Sequence, residues 1–325
     1  MWNNFYSKFK NYFFGKKNFF IISLLIFLFF FFIYLQALPP KTFEKNIIFE
    51  INEGENISEI SKNLESQNII KSSNFFVLLI TGIGNNHAVA GRYLFEKPET
   101  VFEIVRRIAK GDYGVEIFQI TFYEGMTNLE MAKTIEKFIP DFDTENFLKL
   151  AQEKEGYLFP DTYKISYLMT PEKIIKLLND NFNRKIKTIE QEINESKYSL
   201  EQIIIMASII EREADANSRQ EVSNILWKRY ENDLPLQVDA PFVYYIGKGT
   251  FDLTKDDLNT EHPFNTYKKK GLIPKPIANP GLESIKAATS PQNTKNLYFL
   301  TGQDGQMYYG KTFEEHKKNR ALYLD

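Results

Sequence analysis

The hydrophobic positions change period several times along the chain, and each change marks an element. Phe19 to Leu38 is uncharged throughout and contains Ile21, Ile22, Leu24, Leu25, Ile26 and the Phe29–Phe32 block. About twenty such residues, rising about 1.5 Å each, span about 30 Å, the hydrocarbon thickness of a bilayer. Lys8, Lys10, Lys16 and Lys17 precede the run. The positive-inside rule therefore predicts a cytoplasmic N-terminus over 1–18 and an uncleaved single span over 19–38. A cleaved signal peptide is the rival reading, but the run is long for one, and Leu35 and Ala37 offer no small-x-small cleavage context. Pro39 and Pro40 end the helix and open a linker over 39–45, with everything beyond expected outside the cytoplasm.

Between 46 and 155 a pattern occurs twice. Ile47 to Ile51 alternates as a strand does, passes through Glu53-Gly54, and continues with helical spacing at Ile57, Ile60 and Leu64. Ile117 to Tyr123 repeats this through Glu124-Gly125 to Leu129, Met131 and Ile135. In both, a Glu follows the Gly by five residues (Glu59, Glu130), and Asn56 and Thr127 suit the helix N-cap. The first copy continues into a helix over Ser72–Ile80 and a strand-like Gly91–Phe95; a further helix follows Pro98, to Lys110. This β-turn-α repeat resembles the LysM-like domain found beside wall-acting enzymes, where small modules hold N-acetylated glycan. A spacer or packing domain without a sugar site is the other reading of the same pattern.

From 156 onward the pattern is that of a mixed α+β domain. Glu155 to Tyr163 packs three aromatics, a Gly and a Pro into one short stretch, either a sugar-facing loop or an aromatic corner. A charged helix is predicted from Pro171 to about Ile193. Ser199 then caps a helix that is apolar on nearly every side from Ile203 to Ala207 and uncharged until Glu211. Leu236 to Pro241, with Tyr244 and Tyr245, is read as an extended cleft segment. Leu297–Leu300 and Met307–Tyr309 form a predicted hairpin about Gly302–Gly305, and a last helix carries Phe313, His316 and Leu322.

A buried helix that ends in Glu211-Arg212-Glu213 singles out those carboxyls, because burying a carboxylate is costly unless it is paired or protonated. At about 100° per residue the two point about 200° apart, so one cleft cannot use both. Glu213 continues the Met206, Ile209, Ile210 stripe and is expected in the drier environment; Glu211 is expected to be structural, pairing with an arginine.

Composition narrows the chemistry. The 325 residues, 43% hydrophobic and 25% charged, have the balance of a globular protein, and a net charge of −2 argues against nucleic acid as a partner. Cysteine is absent, and the three histidines, His87, His262 and His316, have no metal-ligand spacing. No metal and no cofactor is expected.

Glu-Gly-Tyr-x-Phe-Pro-Asp-Thr-Tyr from Glu155, Ala-Ser-Ile-Ile-Glu-Arg-Glu from Ala207, Leu-Gln-x-Asp from Leu236, Asn-Thr-Tyr from Asn265, and Asn-Pro-Gly-x-x-Ser-Ile-x-Ala-Ala from Asn279 occur in this order behind one N-terminal span. In this the chain resembles the endolytic murein transglycosylase family. Val238, Pro241 and Ala214 depart from residues frequent in that family. The resemblance implies a single-pass protein of the cytoplasmic membrane with its catalytic domain over 156–325, outside the cytoplasm. It implies a lyase that cuts the MurNAc-GlcNAc bond of nascent peptidoglycan strands, leaves a 1,6-anhydro end, terminates elongation, and works near peptidoglycan synthases. It also points to Glu213 as general acid and base, with Glu211 as the alternative or supporting acid. Gln237 and Asp239 are candidates to bind sugar or orient the acid, Asn265 and Tyr267 to hold N-acetyl groups, and Tyr244 to complete the set; each has the alternative of a turn or core role. The competing functions are a hydrolytic muramidase with Asp239 as partner, and an inactive wall-binding scaffold.

Overall fold

Capping residues set the helix boundaries in the computed structural model, which describes residues 16–84, 86–249 and 252–324. Most of the expected cytoplasmic segment, with Lys8 and Lys10, lies outside the described residues. Helix α1 (Lys16–Ala37) contains a stretch, Asn18–Ala37, that is long and apolar enough to cross a membrane and is exposed over most of its length, with Ala37 at its end buried. Beyond it the chain forms two compact units, one ending at Ile117 and including Ser166–Met169, the other made of Phe118–Ile165 and the chain from Thr170.

The smaller unit contains β1 (Ile47–Ile51), α2 (Ile57–Ser66), α3 (Ser73–Gly82), β2 (Gly91–Phe95) and α4 (Val101–Lys110). β1 and β2 pair antiparallel, Ile47 opposite Phe95 and Ile51 opposite Gly91. The alternating residues Phe49, Ile51, Tyr93 and Phe95 face a core completed by Ile60, Leu64, Phe76, Ile80 and Ile104. Buried Arg107 bonds Glu99 and donates to the carbonyls of Leu94 (2.7 Å) and Asp112 (3.1 Å), fixing the C-terminal end of α4.

The larger unit opens with the second copy of the repeat. After β3 (Ile117–Thr121) come α5 (Asn128–Phe138), α6 (Thr144–Leu150), a single 3-10 turn and β4 (Thr162–Ser166), which pairs with β3. Both copies therefore run β-α-α-β. The sequence pattern had traced the second only through its first helix, and the domain boundary expected near residue 155 falls inside this copy. The turns match closely. Gly54 and Gly125 both sit at φ +81°, where a side chain would be strained, and Asn56/Glu59 and Thr127/Glu130 both form capping boxes.

The remaining elements are α7 (Pro171–Lys187), α8 (Glu190–Glu195), α9 (Leu200–Glu213), α10 (Arg219–Glu231), α11 (Ala240–Ile246), α12 (Lys255–Asn259), α13 (Leu282–Thr289), the antiparallel hairpin β5 (Tyr298–Thr301) and β6 (Met307–Gly310), and α14 (Phe313–Tyr323). Helix α9 is the axis of this unit, with eight consecutive buried residues from Ile203 to Ile210. Each fully buried Ile there contributes about 1.5–3 kcal/mol. Buried polar groups brace it: Ile277 N–H donates to Ser208 Oγ (3.1 Å), and Trp227 Nε1 donates to the Ala288 carbonyl (2.9 Å).

Two expectations are corrected. The charged helix from Pro171 does not run unbroken to Ile193; it breaks at Thr188 and Ile189, where Ile189 leaves helical geometry at φ −125° and buries its side chain. Nor is the Tyr244–Tyr245 segment extended. Pro241 lies in the first turn of α11, its ring presetting a helical φ, and Gly247 ends that helix at φ +72°.

Candidate active site

Helix α9 buries its middle, so its last turn brings Glu211, Arg212 and Glu213 to a polar margin. Glu211 is enclosed, with 5% of its side chain exposed. Its Oε1 pairs with Arg219 Nη2 at 3.0 Å and its Oε2 accepts the Gly281 N–H at 2.9 Å. Arg219 also reaches Glu124 (3.3 Å). These bonds tie α9 to the starts of α10 and α13. Glu211 and Glu213 are both half-buried overall, and the loop leading into α13 seals the Glu211 side as protein encloses the Glu213 carboxyl. What separates the two carboxyls is the partner, a guanidinium for one and peptide N–H groups for the other.

Glu213 Oε1 accepts the Ala240 N–H at 2.8 Å, and the Asp239 N–H also bonds this carboxyl. Part of the residue reaches solvent, yet protein rings the carboxyl closely and that desolvation pushes it up to about 7. The Asp239 carboxylate adds to the rise, while the two N–H groups and Arg212 offset it only in part. A carboxyl raised in this way can hold a proton near neutral pH, the state a general acid needs.

The segment leading into α11 is clamped by the Asn265-Thr266-Tyr267 turn. Thr266 Oγ1 donates to the Val238 carbonyl (2.6 Å) and accepts its N–H (3.2 Å). Tyr267 donates its hydroxyl to Asp239 Oδ1 (2.6 Å); burial and the Asp239 charge hold that phenol well above its ordinary value, so it stays a donor. Glu213, Asp239 and Tyr267 thus form one connected group. Gln237 is exposed at φ +55°, and its amide carbonyl accepts from Arg229 Nη2. Asn265 is placed differently from a sugar ligand. It is fully buried, its Nδ2 donates to the carbonyls of Leu258 (3.0 Å) and Thr260 (2.8 Å), and its Oδ1 accepts the Tyr267 N–H (3.0 Å). Its amide is spent on the turn.

Tyr244 lies one turn along α11, and its hydroxyl donates to Glu155 Oε2 at 3.3 Å. Glu155 was not among the candidates. It is 7% exposed, its Oε1 accepts the Asn128 N–H at 2.9 Å, and burial pushes its carboxyl up to about 7. Asn279 locks the same region. Its Oδ1 accepts the N–H groups of Gly156 (3.0 Å) and Leu158 (2.9 Å), and its Nδ2 donates to the Met126 carbonyl (3.0 Å). Both residues stand inside the quoted motifs, but the aromatics beside Glu155 and the prolines beside Asn279 drew the reading there. Among the described residues no group of three His, Asp or Glu side chains is placed to hold a metal.

A family model described as the YceG-like family matches residues 49–321. A Bacillus subtilis (strain 168) protein named endolytic murein transglycosylase is 30% identical over 312 residues, spanning 87% of this chain and 86% of that protein. A protein of the same name from Streptococcus pneumoniae (strain D39) is 26% identical, over 87% of this chain and 59% of its own length. The crystal structure of a yceG-like protein from Listeria monocytogenes superimposes with a TM-score of 0.57 at 29% identity, covering 85% of this chain and 99% of that one. With its motifs in family order, a matching model over most of its length and relatives of one name, the chain belongs to the YceG-like family.

Proposed function

We infer that the protein is an endolytic murein transglycosylase, a lyase of peptidoglycan strands, and that Glu213 moves the proton. A hydrolase working through water needs two carboxyls about the glycosidic bond, whereas a transglycosylase needs one. Neutral Glu213 protonates the bridging oxygen as the C1–O bond of the muramoyl residue breaks. The ionised carboxylate then takes the proton of that residue's 6-hydroxyl as O6 bonds C1, which closes the 1,6-anhydro ring. The observation that carries this reading is a carboxyl lifted to about 7 and bonded by peptide N–H groups, while its neighbour Glu211 is occupied by Arg219.

Asp239 raises the proton affinity of Glu213 and is itself steadied by Tyr267. Gln237, exposed and bonded to Arg229 through its amide carbonyl, and Tyr244 bind the sugar chain; Asn265 acts by shaping the turn that presents Tyr267. Helix α1 anchors the protein in the cytoplasmic membrane, N-terminus inside, and places the enzyme beside the synthases that extrude new strands. The β-α-α-β order of both copies supports a LysM-like role, holding glycan near the site.

Mass spectrometry of the products tests the reaction. Full-length protein in detergent, given uncrosslinked strands, should release anhydro ends, one water lighter than reducing ends. Reducing ends would instead establish the muramidase, with Asp239 activating the water.

A further inference from the structure

A cavity of about 520 Å³ opens in the larger unit beside Ala240, whose N–H holds Glu213, and Glu155 and Tyr244 line it. A second hollow, about 310 Å³, shares Glu130, Lys133 and Arg212 with it, so the two make one trough. Four cations line this trough: Lys275, Arg212, Lys133 and Lys137. Its three carboxyls already have protein donors. Glu130 accepts the Thr127 N–H at 2.7 Å, Glu124 pairs with Arg219, and Glu155 accepts from Asn128 and Tyr244. Lys133 and Lys137 form no ion pair among the described residues, and Lys275 lies 5.7 Å from the Tyr244 ring centre. The lining thus holds four cations against three carboxyls, of which Glu124 pairs with Arg219 from outside it, leaving an excess of positive charge, and volumes of this size take a short peptide or a sugar. A neutral sugar ring has no use for such a line of cations, whereas a chain of carboxylates does.

We propose that this trough holds the acidic peptide carried by the muramoyl residue being cleaved, with its carboxylates against Lys133, Lys137 and Lys275. The inference rests on the transglycosylase reading. The reacting muramoyl sugar carries its peptide, through the lactyl ether, on the ring whose C1 faces Glu213. The trough begins one residue from the Asp239 that flanks this carboxyl, so the peptide of that same sugar is the anionic group nearest to it.

Binding separates this proposal from the reaction itself. Full-length Glu213→Gln protein in detergent is titrated with uncrosslinked strands, either bearing peptides or stripped of them by an amidase. Peptide-bearing strands should bind about tenfold or more tightly than stripped ones, the worth of one or two charge-assisted contacts. Adding Lys133→Ala and Lys275→Ala should erase that difference and leave the affinity for stripped strands unchanged. Equal affinity for both strands in the parent protein, or an equal loss for both in the double variant, overturns the proposal. Because binding is read without turnover, a wrong lyase assignment shows separately, as reducing ends from the unsubstituted protein.

Discussion

Two carboxyls sit on one helical turn, and their partners assign them different work. Glu211 has Arg219 and the Gly281 N–H, and replacing it with Ala should destabilise the larger unit by about 2–3 kcal/mol, since Arg219 would lose the more buried of its two carboxylates. Chemical denaturation of the variant measures this; an unchanged midpoint would show that the pair is dispensable. Glu213 instead holds a proton that the unfolded chain releases. Its carboxyl goes from an ordinary value of 4.5 to about 7 in the folded state, so between those pH values the folded protein binds the extra proton. The stabilisation from this group is complete below about 4.5 and lost as pH rises through about 7. Glu213→Gln should therefore raise the melting temperature at pH 8 and change it little at pH 4. In the active protein, kcat/KM should fall above about pH 7, as the acid needed for the first step ionises.

Helices α5 and α9 hold the site through their ends. The capping box of Thr127 and Glu130 begins α5 next to Asn128, whose N–H bonds Glu155; Thr127→Ala should cost about 1 kcal/mol. Gly156 makes the sharper case. It stands at φ +88°, and a Cβ there would lie 2.6 Å from Pro276 and 2.9 Å from Ile204. Gly156→Ala should destabilise by about 3 kcal/mol from left-handed strain and overpacking together, read by urea unfolding. Elements of this kind were legible in the chain: the apolar run of α9 with its Ser199 cap, the twin Glu-Gly turns, and the hairpin after Leu297. Glu213 and Asp239 were legible as candidates because each stands in a motif whose chemistry is visible in its letters. Glu155 and Asn279 were not, since their roles come from bonds that join positions far apart, as Asn279 and Asn128 are at a separation of 151 residues. Helix α11 was missed because the segment from Leu236 to Tyr245 reads as extended, whereas Pro241 lies in the first turn of a helix, where its fixed φ fits.

At the scale of the whole molecule, a helix long and apolar enough to cross a membrane precedes two units, and the two β-α-α-β copies fall one in the smaller unit and one at the start of the larger. The tether can be tested directly. Leu25→Lys with Phe29→Lys puts two charges at the centre of α1, each costing about 2.5–3.5 kcal/mol of insertion, and should release the protein from the membrane fraction. Retention of the double variant in membranes would mean that another part of the chain anchors it. The proposed reaction rests on a single proton carrier, Glu213, at the margin of α9. The most direct test is the single-turnover cleavage rate of uncrosslinked strands by Glu213→Gln, made in full-length protein with an unchanged unfolding transition at pH 5. The rate should fall by about 10²–10⁴-fold, while an unaltered rate would contradict the assignment of Glu213.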